Sequence, residues 1–208
     1  LSVRELEIMD RIKRINKLKE IIGTRVVVVD GAMGTSIQAL NLSPEDFGGA
    51  EYEGCNELLN ITKPSAIKAI HDTFLKAGSD IIETNSFGST PLVLSEYGQK
   101  DKAQEVSRAS AEIARDLADE YTTDAWPRFV AGSMGPTTKA ISVTGGGSWD
   151  ELAEDYRIQA SGLIEGGVDL LLIETSQDVI NVKAALEGVD RAISNLSKDT
   201  PVAVQCTV

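Results

Sequence analysis

Three carboxylates and an amide stand where short apolar runs give way to polar residues: Asp30 after Val26–Val29, Glu83 and Asn85 after Ile81-Ile82, and Glu174 after Leu170–Ile173. Acids of this kind beside glycine-rich turns suit a zwitterion. The carboxylates take an ammonium group, and backbone N–H groups that Gly31 and Gly34 leave open to close approach take a carboxylate. Glu83 and Glu174 can also serve as local acceptors for loop N–H groups; a binding role is put ahead for Asp30 and Glu174, and Glu83 is balanced between the two. His71 is the sole histidine and is expected to be a packed or surface residue, because no second histidine or acid stands at metal-ligand spacing from it.

These residues converge only if the runs before them are parallel strands, since parallel strands bring their C-terminal ends to one mouth. Val26–Val29 cannot alternate between core and solvent, so the pattern predicts a strand buried on both faces. Further strands are expected at Asp80–Thr84, Arg128–Gly132, Val168–Thr175 and Val202–Val208. Between them the apolar spacing predicts a helix starting at Pro64 with Gly78 just past its end, and helices from about Lys100 to Tyr121, Trp149 to Glu165 and about Val179 to Leu196. An amphipathic helix from Arg4 to Ile22, with Ile8, Ile12, Ile15, Leu18 and Ile22 as its stripe, is expected to cover the bottom of the sheet rather than bind a partner. Asn41–Asn60 and Thr138–Ser148 read as long loops on the side of the strand exits. The segment Gly78–Thr84 is echoed by Gly167–Thr175, each a helix-ending glycine, an aspartate, a buried strand and an exit Glu-Thr. Repeated βα units of this kind build α/β barrels.

Composition narrows the function classes. The chain has 208 residues, 20 Lys plus Arg against 32 Asp plus Glu, and a formal charge of −12, which disfavours nucleic acid or an anionic membrane as the main partner. No apolar run approaches the roughly 20 residues of a membrane span and no secretory pattern opens the chain, so a soluble, cytoplasmic protein is expected. Cys55 and Cys206 stand far apart, which points to neither a disulfide framework nor a self-contained zinc site. The sequence has no dinucleotide fingerprint, no phosphate-binding P-loop and no G-x-S-x-G elbow. Leu1 in place of an initiator methionine, and the apolar end at Val208, lead to the expectation of a segment cut from a longer chain.

Taken as a set, Asp30-Gly31-Ala32-Met33-Gly34-Thr35, Asn56-Glu57-Leu58-Leu59, Asp80–Gly88, Gly135-Pro136-Thr137 and Leu172-Ile173-Glu174-Thr175 resemble the homocysteine-binding domain of the cobalamin-dependent methionine synthase family. The resemblance runs from about Arg25 to Val208. It implies a (β/α)8 TIM barrel, here truncated to about its first five β/α units, with residues 1–24 as a preceding helix and 25–208 as the N-terminal part of the barrel. It further implies that homocysteine is the substrate, that a zinc ion held by three cysteines activates its sulfur, and that methylcobalamin, recharged from methyltetrahydrofolate, supplies the methyl group through other modules of the same chain. Asp30 and Glu174 match positions for the substrate's amino group, Gly31-Ala32-Met33 the carboxylate-binding turn, and Asn85 the loop after the second strand. Cys206 falls on the fifth strand, not the sixth, and Cys55 matches no ligand. The zinc cysteines are therefore expected beyond Val208, with no catalytic residue and no metal ligand in this segment, which alone should be inactive. Two alternatives are a single-module homocysteine methyltransferase using betaine or S-methylmethionine, and a non-catalytic amino-acid-binding fragment.

Overall fold

Helices form where the 3.6-residue pattern is longest, and among the described residues the four strands that alternate with them make one parallel sheet. The computed structural model describes residues 3–138, 147–196 and 202–206. The helices are α1 (Val3–Ile22), α2 (Met33–Ala39), α3 (Leu59–Thr62), α4 (Pro64–Ala77), α5 (Pro91–Leu94), α6 (Ala103–Tyr121), α7 (Trp149–Glu165) and α8 (Val179–Leu196). The strands are β1 (Ile81–Glu83), β2 (Phe129–Met134), β3 (Leu170–Ser176) and β4 (Val202–Cys206), hydrogen-bonded in the order β1-β2-β3-β4 with every pair parallel. A parallel pair needs a crossover, and α6, α7 and α8 are the three crossovers here.

The two sheet faces have different partners. Ile82, Val130, Leu171 and Ile173 face the crossover helices and bury against Ala114, Leu117, Tyr156, Leu163, Ala185 and Val189. Neighbouring crossover helices approach closely because small residues line their contacts. A β-carbon on Gly188 of α8 would stand 2.3 Å from the Ala153 carbonyl oxygen of α7, a contact only glycine permits. On the opposite face, Ile81, Phe129, Ala131, Leu170 and Leu172 pack with Leu18 and Ile21 of α1. The helix thus covers the N-terminal end of that face, as its amphipathic pattern predicts, but the stripe closes on Ile21 and leaves Ile22 exposed. Helical geometry explains the shift, because Leu18 and Ile21 are three residues apart on one side.

The repeated Gly-x-Asp segments do the same work twice. Gly78 and Gly167 end their helices in the left-handed region, with φ of 111° and 98°. The following Asp80 donates its backbone N–H to Val28 and accepts the Val28 N–H on its side chain (2.9 Å), while Asp169 makes the same two bonds to Val130 (2.9 Å for the side-chain bond). Each aspartate also meets arginine, Asp80 through both ends of Arg25 and Asp169 through Arg14 and Arg115. Charged bonds from Arg25 hold the Asp80 carboxyl well below the usual carboxylate range. The aspartate thereby sets the start of its own strand against the strand before it.

Two expectations are corrected. Val26–Val29 is not buried on both faces: Val26, Val28 and Val29 are 83%, 53% and 43% exposed, and the segment meets β1 through one parallel bridge, Val29 to Ile81. Among the described residues no strand lies on its other edge, so two-sided burial is not supplied. Nor is Asn41–Asn60 irregular. It winds through 3-10 turns at Pro44–Phe47, Ala50–Tyr52 and Asn56–Leu58, the first closed by reciprocal bonding of Ser43 and Asp46, and buries Phe47, Cys55 and Leu58. The Gly145-Gly146 part of the second long loop, residues 139–146, lies outside the described residues. No helix among the described residues is long and apolar enough to cross a membrane.

Candidate functional site

The face that α1 covers at one end is polar at the other. Register pairs Glu83 with Ala131 and Ser133 with Leu172, so Glu83 and Ser133 continue that face at the C-terminal strand ends. Glu174 joins them from β3, where regular pairing to β4 breaks between Ile173 and Ser176. Thr175 in that break has φ of 56°, a conformation a β-branched residue rarely adopts, and such distortions at strand ends re-aim the adjacent side chain. The Ser133 hydroxyl donates to Glu174 Oε1 at 2.5 Å, which fixes where the carboxylate points.

These groups open on a cleft of about 270 Å³ whose walls include Glu83, Ser133 and Glu174, with Ala32, Met33 and Gly34 on one rim and Asn56, Glu57, Asn85 and Phe87 on another. Ala32 enters α2 with φ of 49° and ψ of 45°, so its turn starts the helix at the cleft edge. Among the described non-glycine residues, positive φ occurs at Ala32, Asn41 and Thr175; Ala32 lines the cleft and Thr175 directly follows the lining residue Glu174. Strain concentrated in this way is a mark of a functional site.

Asp30 stands just behind the lining. Its side chain is 3% exposed, its Oδ1 accepts the Glu83 N–H at 2.9 Å, and its Oδ2 lies 4.0 Å from His71 Nδ1. Burial, with the charges of Glu83 and Glu174 adding, pushes its carboxyl up to about 8. Glu83 is pushed up to about 7 by burial and then by Glu174. Burial raises Glu57 as well, although the Gly88 N–H bonds its carboxylate at 2.8 Å. A cavity crowded with carboxylates and with no basic residue among its described lining is complementary to a cation.

Of the residues singled out from sequence, Ala32, Met33, Asn85 and Glu174 line the cleft, Asp30 backs it, and Gly31 adjoins Asp30 without lining it. Asn85 is buried, and its amide nitrogen is committed to the Asn56 carbonyl (2.8 Å) and Asn60 Oδ1 (3.1 Å), so it braces the loop that carries Glu57. Sequence reasoning passed over Ser133, Glu57 and the His71 contact. Ser133 directly precedes Met134-Gly135-Pro136 at a strand exit, a signal equal to that of Glu83, whereas nothing local marks His71 as a neighbour of Asp30. Below the cleft, buried hydroxyls tie the strand ends together: the Thr84 and Ser86 hydroxyls are hydrogen-bonded at 2.6 Å, Ser86 donates to the Ser133 carbonyl, and Gln159 of α7 donates to the Ser86 carbonyl.

The zinc that the resemblance implies finds no donor set here: among the described residues no three His, Cys, Asp or Glu side chains are grouped to hold a metal ion. Cys55 is buried and its thiol pushed up to about 12, first by burial and then by Glu57, so it stays protonated and a poor ligand.

This parallel α/β chain belongs to the homocysteine S-methyltransferase family, whose model matches residues 27–208. It is 42% identical to the methionine synthase of Mycobacterium leprae and 40% identical to that of Mycobacterium tuberculosis, over 191 residues in each case. Those matches cover 92% of this chain, which spans 16% of the length of each curated relative. The fold is similar to that of the homocysteine methyltransferase MmuM from Escherichia coli in its metallated form, with a TM-score of 0.70 and 21% identity over 89% of this chain and 64% of that one. The oxidised form of the same enzyme gives a TM-score of 0.69.

Proposed function

We propose that this chain is the homocysteine-binding part of a methionine synthase, a methyltransferase that passes a methyl group from methylcobalamin, and ultimately methyltetrahydrofolate, to homocysteine. The single observation that carries the reading is the carboxylate-lined cleft at the strand exits, in a chain of the homocysteine S-methyltransferase family. In this reading residues 25–208 form the N-terminal part of a (β/α)8 barrel, the cobalamin- and folate-binding modules belong to the same full-length chain, and the protein works in the cytoplasm.

Asp30 and Glu174 receive the substrate's ammonium group. Glu174 is held for this by Ser133, and Asp30 by the Glu83 N–H. The Gly31-Ala32-Met33 backbone, at the start of α2, receives the substrate's carboxylate, since N–H groups at a helix start have no partner within the helix. Asn85 contributes to the wall between them. The described side chains do not fit a zinc site, so activation of the substrate sulfur is assigned to residues outside them, and the segment serves binding and orientation. A single-module enzyme using betaine or S-methylmethionine would share this cleft; identity to two methionine synthases favours the multi-domain reading.

Titration calorimetry with L-homocysteine tests the proposal, with L-methionine as control. Saturable homocysteine binding that is weakened at least about tenfold by Asp30→Ala and by Glu174→Gln, the loss of one charge-assisted bond in each case, is the expected result. Absence of binding, or binding indifferent to both substitutions, would refute it.

A further inference from the structure

His71 is fully buried on α4, and neither ring nitrogen has a hydrogen-bond partner among the described residues. An unpaired ring N–H inside a protein is costly, and such groups call for an explanation. The acid that faces the ring is Asp30, whose Oδ2 lies 4.0 Å from Nδ1, about 1 Å beyond hydrogen-bond length. Asp30 turns its two oxygens to different groups. Oδ1 is tied to the Glu83 N–H, and Oδ2 is the oxygen that faces the imidazole. The acid and the histidine thus form a pair that stops just short of bonding, while the cleft-lining Glu83 holds the acid's other oxygen.

We propose that His71 is a positioning residue for the ligand's ammonium group: when an ammonium enters the cleft, Nδ1–H of His71 closes on Oδ2 of Asp30 and fixes that carboxylate as the acceptor. The inference rests on the homocysteine-binding reading above. In the empty cleft, burial and the facing charges of Glu83 on β1 and Glu174 on β3 keep a proton on Asp30 near neutral pH. An entering ammonium offsets those charges, and Asp30 releases its proton to solvent. The buried carboxylate so formed needs a donor on its helix side, and His71 is the group placed to give one. Burial pushes the imidazole down to about 4, so it donates as a neutral ring and does not compete with the ammonium as a second cation.

Because His71 is the one histidine in 208 residues, its ring nitrogens can be read in a long-range ¹H–¹⁵N NMR spectrum of the wild-type chain without assignment work. Saturating L-homocysteine should lock the neutral Nδ1–H tautomer and move that nitrogen toward a hydrogen-bonded position. 4-Mercaptobutyrate, which lacks the ammonium, should leave it unmoved, and Asp30→Asn should abolish the homocysteine response. His71→Phe should weaken homocysteine binding about tenfold, and His71→Asn, which returns an N–H near Nδ1, should restore most of it even if both variants lose equal thermal stability. Homocysteine binding with no change at the imidazole, or undiminished binding by His71→Phe, overturns the positioning role and leaves the functional reading standing. No homocysteine binding to the wild-type chain overturns both.

Discussion

Asp30→Asn should change how the stability of the fold depends on pH, and by an amount the structure fixes. The side chain is 3% exposed, and its carboxyl is raised from 3.8 to about 8, chiefly by burial. Between those values the folded chain holds a proton that the unfolded chain has lost, so stability falls as pH rises through the window. The slope is about 1.4 kcal/mol per pH unit, and between pH 6 and pH 9 two units lie below the folded value, giving a loss of about 3 kcal/mol from this group. Asparagine keeps an oxygen for the Glu83 N–H but cannot titrate, and should not suffer that loss. Glu83, raised from 4.5 to about 7, has the same sign over its own range, whereas His71, lowered from 6.5 to about 4, stabilises with rising pH between those values. Both act in parent and variant and cancel in the comparison. Urea unfolding at pH 6 and pH 9, followed by the fluorescence of Trp126 and Trp149, measures the difference. Parallel pH dependence of the two proteins, within about 0.5 kcal/mol, would refute the claim that Asp30 is a buried, protonated acid.

Other consequences are as direct. Homocysteine binding near pH 7 should release close to one proton as Asp30 ionises, seen as a dependence of the calorimetric enthalpy on buffer ionisation heat, and affinity should rise with pH toward about 8. Asp169→Ala should destabilise the chain by about 3 kcal/mol in urea unfolding, because it strips a buried carboxylate from Arg14, Arg115 and the Val130 N–H at once. Gly188→Ala should cost about 1–3 kcal/mol by driving α8 away from the Ala153 carbonyl, and a change below about 0.5 kcal/mol would show that the two helices separate freely.

What the sequence determined by itself is local and periodic. Helices α4, α6, α7 and α8 follow from apolar spacing and from the Pro64 and Gly78 boundaries, and the strand exits that carry Glu83 and Glu174 follow from short apolar runs ending in acids. Parallel order then follows from strands alternating with helices, since chain connectivity leaves few other topologies. The motif set around Asp30, Asn85 and Glu174 carried the family resemblance, and those residues stand at or just after the C-terminal strand ends. What only the tertiary structure decided depends on neighbours distant in sequence. Exposure of Val26–Val29 is set by whether a strand lies on its outer edge, which no residue in the run encodes. The hold of Ser133 on Glu174 spans 41 residues, and the meeting of His71 with Asp30 needs α4 to pack beside the first strand exit. Protonation of Asp30 is of the same kind, because it follows from the water that the fold excludes and from the charges that Glu83 and Glu174 bring beside it.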